Sequence, residues 1–484
     1  MKTYKTKRYS LVVLGILCYF FSFAGRGLRA DLSHDDLMNL YKSWYPPASA
    51  HIADIIAFFK PSESFRPLGS LFYRILFEVY GMQALPYRIA CYSLILLNMW
   101  LAYCVVRRLT NSREVAVITV VLFSYHMEFW PLYLSTGFCY DLLCFCFYMG
   151  AFLYYLRHRH ASWTHMFVWS ILYVLCLDSK ELGVTLPVVI CIYELLRRRP
   201  STWISWIAAD AKIPLAGIAI NLLFIGGRVY GHEGLSKLDG YIPVYRPGVY
   251  FARAYHFLSD AFYAAHWLTP ATAALLFSLL AAMAIWSRWF PLRFAVASMP
   301  VAILPVAFIP ERGLASATPA ALALAITVAL VLTEISRWLF HRFRERQAAQ
   351  FVAVLLIMVA VNGTYGTIDY QGHFSEGKKI RSIYDQIRTM QPVFPHDSNV
   401  LFLHDPFSEM TWATSFIVAL HSKDPSVRVY RLDRLPKDAR RDFNIVFSYE
   451  KDRLAACAID WLDPGTAPSS VCSYPAAPDI AVRL

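Results

Sequence analysis

"ALPYRIACYSLILLNMWLAYCVVRRL", residues 84–109, is an apolar run that closes on a pair of arginines. About 20 such residues cross the hydrocarbon core of a bilayer as a helix, and arginines at one end mark the side that stays in the cytoplasm. Similar runs occupy roughly 9–25, 88–106, 115–133, 139–156, 164–178, 182–196, 212–226, 269–287, 294–310, 314–335 and 349–362. That makes about eleven helices, in a chain of 484 residues that is 57% hydrophobic and 17% charged.

With a cytoplasmic N-terminus, the inner loops are "RRLTNSRE" (107–114), "RHRHASWTH" (157–165), "RRRP" (197–200), "SRWFPLR" (287–293) and "SRWLFHRFRER" (336–346). Each is basic, as the positive-inside rule requires. The net charge of +12 therefore reports topology and not a nucleic-acid partner. The basic head "MKTYKTKR" precedes an apolar body without a small-residue cleavage site, so it reads as an uncleaved first helix. Two readings stand for residues 249–268, a further span or, more economically, an interfacial helix, since Arg253, His256, Asp260 and His266 punctuate them. The expected domains are a membrane module over 1–362, whose first external loop is 26–87, and an extracytoplasmic α/β domain over 363–484. That tail carries an amphipathic "KKIRSIYDQIRTM" and strand-like "NVLFLHD", "VRVYRLD" and "NIVFSYE". Within it Cys457 and Cys472 are either bridged or free thiols.

The first external loop opens with "RADLSHDDLMNLYKSW", residues 29–44. Ser33 and Asp36 have capping-box spacing and start a helix whose Leu37, Leu40, Tyr41 and Trp44 share one face, expected to lie on the membrane surface. Asp36 is either the cap or a second acid. Asp35 falls in the first helical turn, where the macrodipole favours a carboxylate able to accept a proton, with His34 beside it. In the same loop "FRPLGSLFYR" supplies Arg66, an interface anchor or a phosphate ligand, ahead of a re-entrant or interfacial helix. "YHMEFWPLYLSTGFCYDLL" places His126, Glu128 and Asp141 at the outer ends of neighbouring spans, where ionisable groups are functional or mutually paired. "DSKELG" and "PERG" add Lys180, Glu181, Glu311 and Arg312, with pairing between sequence neighbours as the plain structural alternative. Carboxylates and cations collected on one membrane face fit chemistry on a lipid-linked phosphate: one takes a proton from a hydroxyl, the other stabilises the departing phosphate.

The motifs "HDDLMN", "RPLGSLFYR", "LFSYH...YDLL", "DSKELGVTLPVVICIYELL" and "IPERG", in that order over roughly residues 10–335, resemble the GT-C superfamily of polyprenol-phosphate-sugar glycosyltransferases. The nearest branch is that of the protein O-mannosyltransferases, in particular the transmembrane and TPR-containing enzymes and their bacterial relatives. The resemblance implies an α-helical polytopic membrane protein that transfers a sugar with inversion from a dolichyl or undecaprenyl phosphate to a hydroxyl on a protein, glycan or lipid, outside a bacterial inner membrane. It implies Asp35 as the base and Asp36 as its acidic neighbour. Arg66, Asp141, Lys180, Glu181, Glu311 and Arg312 would hold the donor phosphate or brace the pocket, with His126 and Glu128 nearby. No cofactor is required, although a divalent metal bridging acid and phosphate is conceivable. Two departures bear on the substrate: "GLASATP" follows the "ER" pair in place of an "LYLP"-like stretch, and no TPR repeats follow. A transporter or flippase is the competing class; against it, no inverted repeat is visible and the ionisable residues gather at one face instead of the midplane.

Overall fold

A computed structural model describes residues 14, 17–18, 20–21, 24–60, 66–158, 162–198, 211–231, 234–238, 240–263, 267–339, 353–354, 356–358, 360–361, 370–407, 410, 412–435, 443–460 and 469–473. The span expected at 9–25 and the one at 349–362 lie largely outside them, as does His266. The helices that matter below are α1 (His34–Trp44), α2 (Ala48–Ile56), α3 (Pro67–Tyr80), α4 (Ala84–Thr110), α5 (Arg113–Ser124), α6 (Trp130–Leu134), α7 (Cys139–Arg157), α8 (Trp163–Ser179), α9 (Leu186–Arg198), α10 (Lys212–Phe224), α11 (Pro247–Ala261), α12 (Pro270–Ser287), α13 (Phe290–Ala302), α14 (Leu304–Ala307), α15 (Thr318–Leu339), α16 (Tyr370–Met390) and α17 (Ala413–Ser422). They fall into two compact units, one made of Met1–Arg29, Ser49–Leu71 and Arg88–Ile368, the other of Ala30–Ala48, Phe72–Tyr87 and Asp369–Leu484.

The first unit is the membrane bundle. Among the described residues six helices are long and apolar enough to cross a bilayer, and a seventh span results if one bent pair counts as a single crossing. That pair is the run expected as one helix at 115–133: it breaks after Ser124 and turns by 65° into Met127–Leu134. The break falls at Tyr125 and His126, and Pro131 lies in the first turn of α6, where its missing N–H costs nothing. The runs expected at 164–178 and 182–196 form α8, of 17 residues, and α9, of 13, shorter than the other spans. The run at 249–268 yields the 15-residue α11. Burial separates centre from rim: 83% of the apolar stretch around α15 is enclosed by protein, against 11% for α12, which is apolar all round. The alanines of α15, among them Ala320, Ala321, Ala323, Ala325 and Ala329, are buried and let α5 and α13 approach closely.

The second unit is a five-stranded sheet with order β2-β1-β3-β4-β5, from β1 (Asn399–Phe402), β2 (Arg428–Arg431), β3 (Ile445–Glu450), β4 (Arg453–Asp460) and β5 (Ser469–Ser473). β1 runs parallel to β2 and β3, whereas β4 and β5 are antiparallel additions. Parallel neighbours need a crossover, and α17 supplies it between β1 and β2. Ile380, Ile383 and Ile387 of α16 recur at helical spacing, are buried, and form the face that packs on β4. Cys457 and Cys472 lie opposite each other on β4 and β5 and are bridged. α1 belongs to this unit, and its apolar face does not lie on a membrane surface as expected. Leu37, Leu40 and Trp44 are buried against protein, with Tyr41 stacked on Phe416 of α17 at 4.4 Å.

Candidate active site

In the membrane bundle, α7 and α8 run side by side, bringing Asp141 at the start of one to Lys180 just past the end of the other. Lys180 Nζ donates to Asp141 Oδ1 over 2.6 Å, and both side chains are nearly buried. Lys180 is extended (φ −165°, ψ 150°), so Glu181 points elsewhere, to Arg66. Arg66 meets it with two parallel bonds, Nε to Oε2 at 3.1 Å and Nη2 to Oε1 at 2.6 Å, the fork geometry that makes arginine–carboxylate pairs strong. The same Nη2 donates to the Tyr241 hydroxyl at 3.1 Å. Arg312 lies over the other side of this assembly, its guanidinium 4.9 Å from the centre of the Tyr241 ring, and donates to the Gly240 carbonyl at 2.9 Å. Arg66 is also 5.6 Å from the rings of Tyr140 and Tyr241. A Cβ at Gly69, in the first turn of α3, would overlap the Tyr140 ring, so the glycine of "RPLG" is what lets that turn close on Tyr140.

The charges do not cancel. Two carboxylates, Asp141 and Glu181, face three cations, Arg66, Lys180 and Arg312, and Arg312 meets a carbonyl and a ring, neither carrying a full charge. Arg312 is exposed, unlike the buried pairs beside it. Next to it opens a cavity of about 210 Å³ with Glu181, Ser236 and Tyr241 at polar points and Val184, Tyr245, Leu304 and Phe308 among its apolar walls. Glu181 and Tyr241 line this cavity and themselves bear the Arg66 and Arg312 guanidiniums, so the cations stand one residue behind an apolar groove.

Sequence neighbours do not pair. Glu311 turns away from Arg312 to Arg253 at 2.9 Å and His256 at 3.3 Å, both on α11. His126 is taken up locally: its ring stacks on Tyr263 at 4.3 Å, Nε2 lies 3.0 Å from the Ala261 carbonyl, and Nδ1 accepts from the Glu128 amide. The Asp260 carboxylate on α11 acts on Glu128 electrostatically. His126, Glu128 and Glu311 thus join α11 instead of the Arg66–Lys180 group.

The second unit carries the acidic turn. Ser33 and Asp36 close a reciprocal capping box, the Ser33 amide donating to Asp36 Oδ2 at 2.9 Å and the Asp36 amide to Ser33 Oγ at 3.3 Å. Asp36 is fully buried and spends one oxygen as a cap. Asp35 is exposed. Partial burial in first place, then the charges of Asp36 and Glu376, push its pKa above the ordinary carboxylate value, with His34 opposing. The macrodipole expectation is corrected here: partial burial, with two adjacent like charges, outweighs the helix terminus. The consequence is a carboxylate with greater affinity for a proton.

Tyr241, Tyr140 and Glu376 had no signal in the sequence, because each is brought to its partner across more than 70 residues. Among the described residues no group of three His, Cys, Asp or Glu side chains is placed to hold a metal ion.

Residues 60–225 match the family model described as dolichyl-phosphate-mannose-protein mannosyltransferase. The crystal structure of ArnT from Cupriavidus metallidurans in the apo state aligns with a TM-score of 0.51 at 14% identity, covering 88% of this chain and 86% of that one. The structure of ArnT from the same organism bound to undecaprenyl phosphate gives 0.49 at 12% identity, covering 92% and 93%. No curated protein matches. The chain thus shares the fold of a multi-pass membrane protein, ArnT, and the segment that holds Arg66, Asp141, Lys180 and Glu181 is similar to the dolichyl-phosphate-mannose-protein mannosyltransferase family.

Proposed function

We propose that the protein moves a sugar from a polyprenyl phosphate to a hydroxyl acceptor on the outer face of a bacterial inner membrane. The observation that carries this reading is the uncancelled positive charge of the Arg66–Lys180–Arg312 group, which reaches through Glu181 and Tyr241 to an apolar groove. A polyprenyl phosphate has the matching chemistry, a dianionic head on a hydrocarbon chain. Asp35 acts as the base. It takes the proton of the acceptor hydroxyl as that oxygen bonds to the anomeric carbon, while the bond from that carbon to phosphate breaks and its electron pair leaves with the polyprenyl phosphate. One displacement inverts the anomeric centre. Arg312, Arg66 and Lys180 stabilise the charge that grows on the leaving phosphate. Asp141 and Glu181 hold two of those cations in place, and Asp36 fixes the turn that presents Asp35. Glu128, His126 and Glu311 brace α11 in this scheme. No metal is assigned a step.

The Cys457–Cys472 bridge supports an oxidising, extracytoplasmic location for the sheet, since such bonds persist outside the reducing cytoplasm. The acceptor class stays at the level of a hydroxyl compound. The test uses the purified chain in nanodiscs with radiolabelled undecaprenyl-phosphate mannose, glucose or galactose, measuring sugar released to water or transferred to a serine- and threonine-rich peptide. Turnover that persists in EDTA and is lost in Asp35→Asn supports the reading; full turnover in Asp35→Asn refutes it.

A further inference from the structure

The acidic turn is held from the far end of the chain. α16 meets the segment before α1 at three points. Gly377 sits so close to Asp31 that an added Cβ would lie 3.0 Å from the Asp31 Cβ and 3.2 Å from its carbonyl carbon. One turn on, Arg381 Nη1 reaches Asp31 Oδ1 at 3.1 Å. Just before Gly377, Glu376 takes hold of His34: its Oε1 accepts the His34 backbone N–H at 2.9 Å and lies 2.6 Å from His34 Nδ1. The imidazole edge is enclosed by Phe407 at 5.1 Å and Trp412 at 5.9 Å, so the ring has little freedom. His34 is the first residue of α1, and its N–H is one of the helix-start donors left without an intrahelical acceptor. Ser33 and Asp36 account for one side of that turn; Glu376 accounts for the other.

We propose that Glu376 is a positioning residue for Asp35, clamping the first turn of α1 through both polar groups of His34 and placing a negative charge beside the catalytic carboxylate. The inference rests on Asp35 being the base. The groups facing Asp35 are Asp36, Glu376 and His34. Of the other charges of α16, Arg381 meets Asp31 and Asp385, Arg388 meets Asp385, Lys379 lies over the Phe407 and Tyr449 rings, and Lys378 is exposed. α17, which packs on α1, brings only His421 as a titratable group, and its Nε2 lies on the Gln391 carbonyl. A purely mechanical brace would not care about charge. Glu376 carries one, and it raises the proton affinity of its neighbour.

The experiment separates the two roles. The full chain, in nanodiscs with radiolabelled undecaprenyl-phosphate mannose and water as acceptor, is assayed for kcat/KM across pH. Glu376→Gln keeps an oxygen that accepts both His34 bonds but removes the charge. The expected result is an acid limb displaced to lower pH, with the alkaline plateau within about threefold of wild type. Glu376→Asp restores the charge on a shorter arm, so the limb returns while kcat falls by roughly tenfold. Asp385→Asn, on the same helix, leaves the limb where it is. An unmoved acid limb in a folded Glu376→Gln protein overturns the inference, as does a limb that moves equally in Asp385→Asn. Should Asp35→Asn remain active, the base assignment itself fails; an inactive Asp35→Asn with an unmoved Glu376→Gln limb removes this inference alone.

Discussion

The two units treat carboxylates in opposite ways. In the membrane bundle Asp141 is buried, Glu181 largely so, and each is bonded to a cation at 2.6 Å, so they are structural anions whose task is to hold Lys180 and Arg66 still. In the sheet-bearing unit partial burial of Asp35, followed by the charges of Asp36 and Glu376, outweighs the opposing His34, and its proton affinity rises. Pairing quenches reactivity, whereas like-charge crowding creates it. The same residue types thus serve as scaffold in one place and as chemistry in the other.

This contrast breaks most visibly at Asp35. Asp35→Asn is expected to lower kcat by roughly a thousandfold, the range of a lost general base, with undecaprenyl-phosphate binding retained and the melting temperature unchanged or slightly higher because a repulsive charge is gone. If the melting temperature instead collapsed along with activity, Asp35 would be another structural anion. The pH dependence follows from the same source: Asp35 must be deprotonated to act, so activity falls as pH drops through a pKa raised above the usual carboxylate range.

The buried pairs should respond in the reverse order. Lys180→Met leaves Asp141 as an unpaired charge in a nearly sealed place, an outcome that costs about 3 kcal/mol and reads as a lower unfolding temperature in detergent. Replacing both partners, Asp141→Leu with Lys180→Met, should return most of that stability while donor affinity stays low. A double variant no more stable than the single one would show that the pair is not what stabilises this corner. Arg312→Ala should act in a third way, weakening undecaprenyl-phosphate binding by about tenfold, the share of one charge-assisted contact, with stability within about 0.5 kcal/mol of wild type. Added salt should diminish the difference between the two proteins, because Arg312 is solvent-exposed.

Much of this architecture was legible in the sequence, for reasons that differ by element. Spans such as 84–110 announce themselves by length, and β1, β2 and β3 by short β-branched runs. β4, "RLAACAID", and the crossover helix α17, "ATSFIVALHS", did not, since small residues and mixed patterning carry neither period clearly. The bend at His126 was invisible because no proline or glycine stands at the break itself. In the site, all the cations that matter were marked, yet their partners were not. "KE" and "ER" look like ion pairs on paper, but the extended backbone at Lys180 sends successive side chains apart, and Glu311 and Arg312 likewise part company for Arg253 and Gly240. Glu376 stands 342 residues from His34, and no local pattern encodes such a meeting.

The sheet-bearing unit holds a control for the whole comparison, because it also contains a bonded pair at the surface, with His396 exposed and Asp424 half-buried. Asp424 Oδ1 accepts the Ser426 amide at 2.9 Å and its Oδ2 lies 2.8 Å from His396 Nδ1. The Ser426 amide first, then His396, pull the Asp424 pKa down to about 2, while the same contact pushes that of His396 up. A depressed carboxylate stabilises the fold above its unfolded value of about 3.9 and loses that contribution as pH falls toward its folded value. A raised histidine does the opposite, stabilising below about 6.5 and losing the effect as pH rises through its folded pKa. Both contributions coexist only between those limits. Asp424→Asn should therefore lower the melting temperature slightly near pH 5, less at pH 8, and not at all below pH of about 2. A drop at pH 5 as large as that of Lys180→Met would mean that burial is not what gives the membrane pairs their weight, and the division between structural and reactive carboxylates would have to be drawn on other grounds.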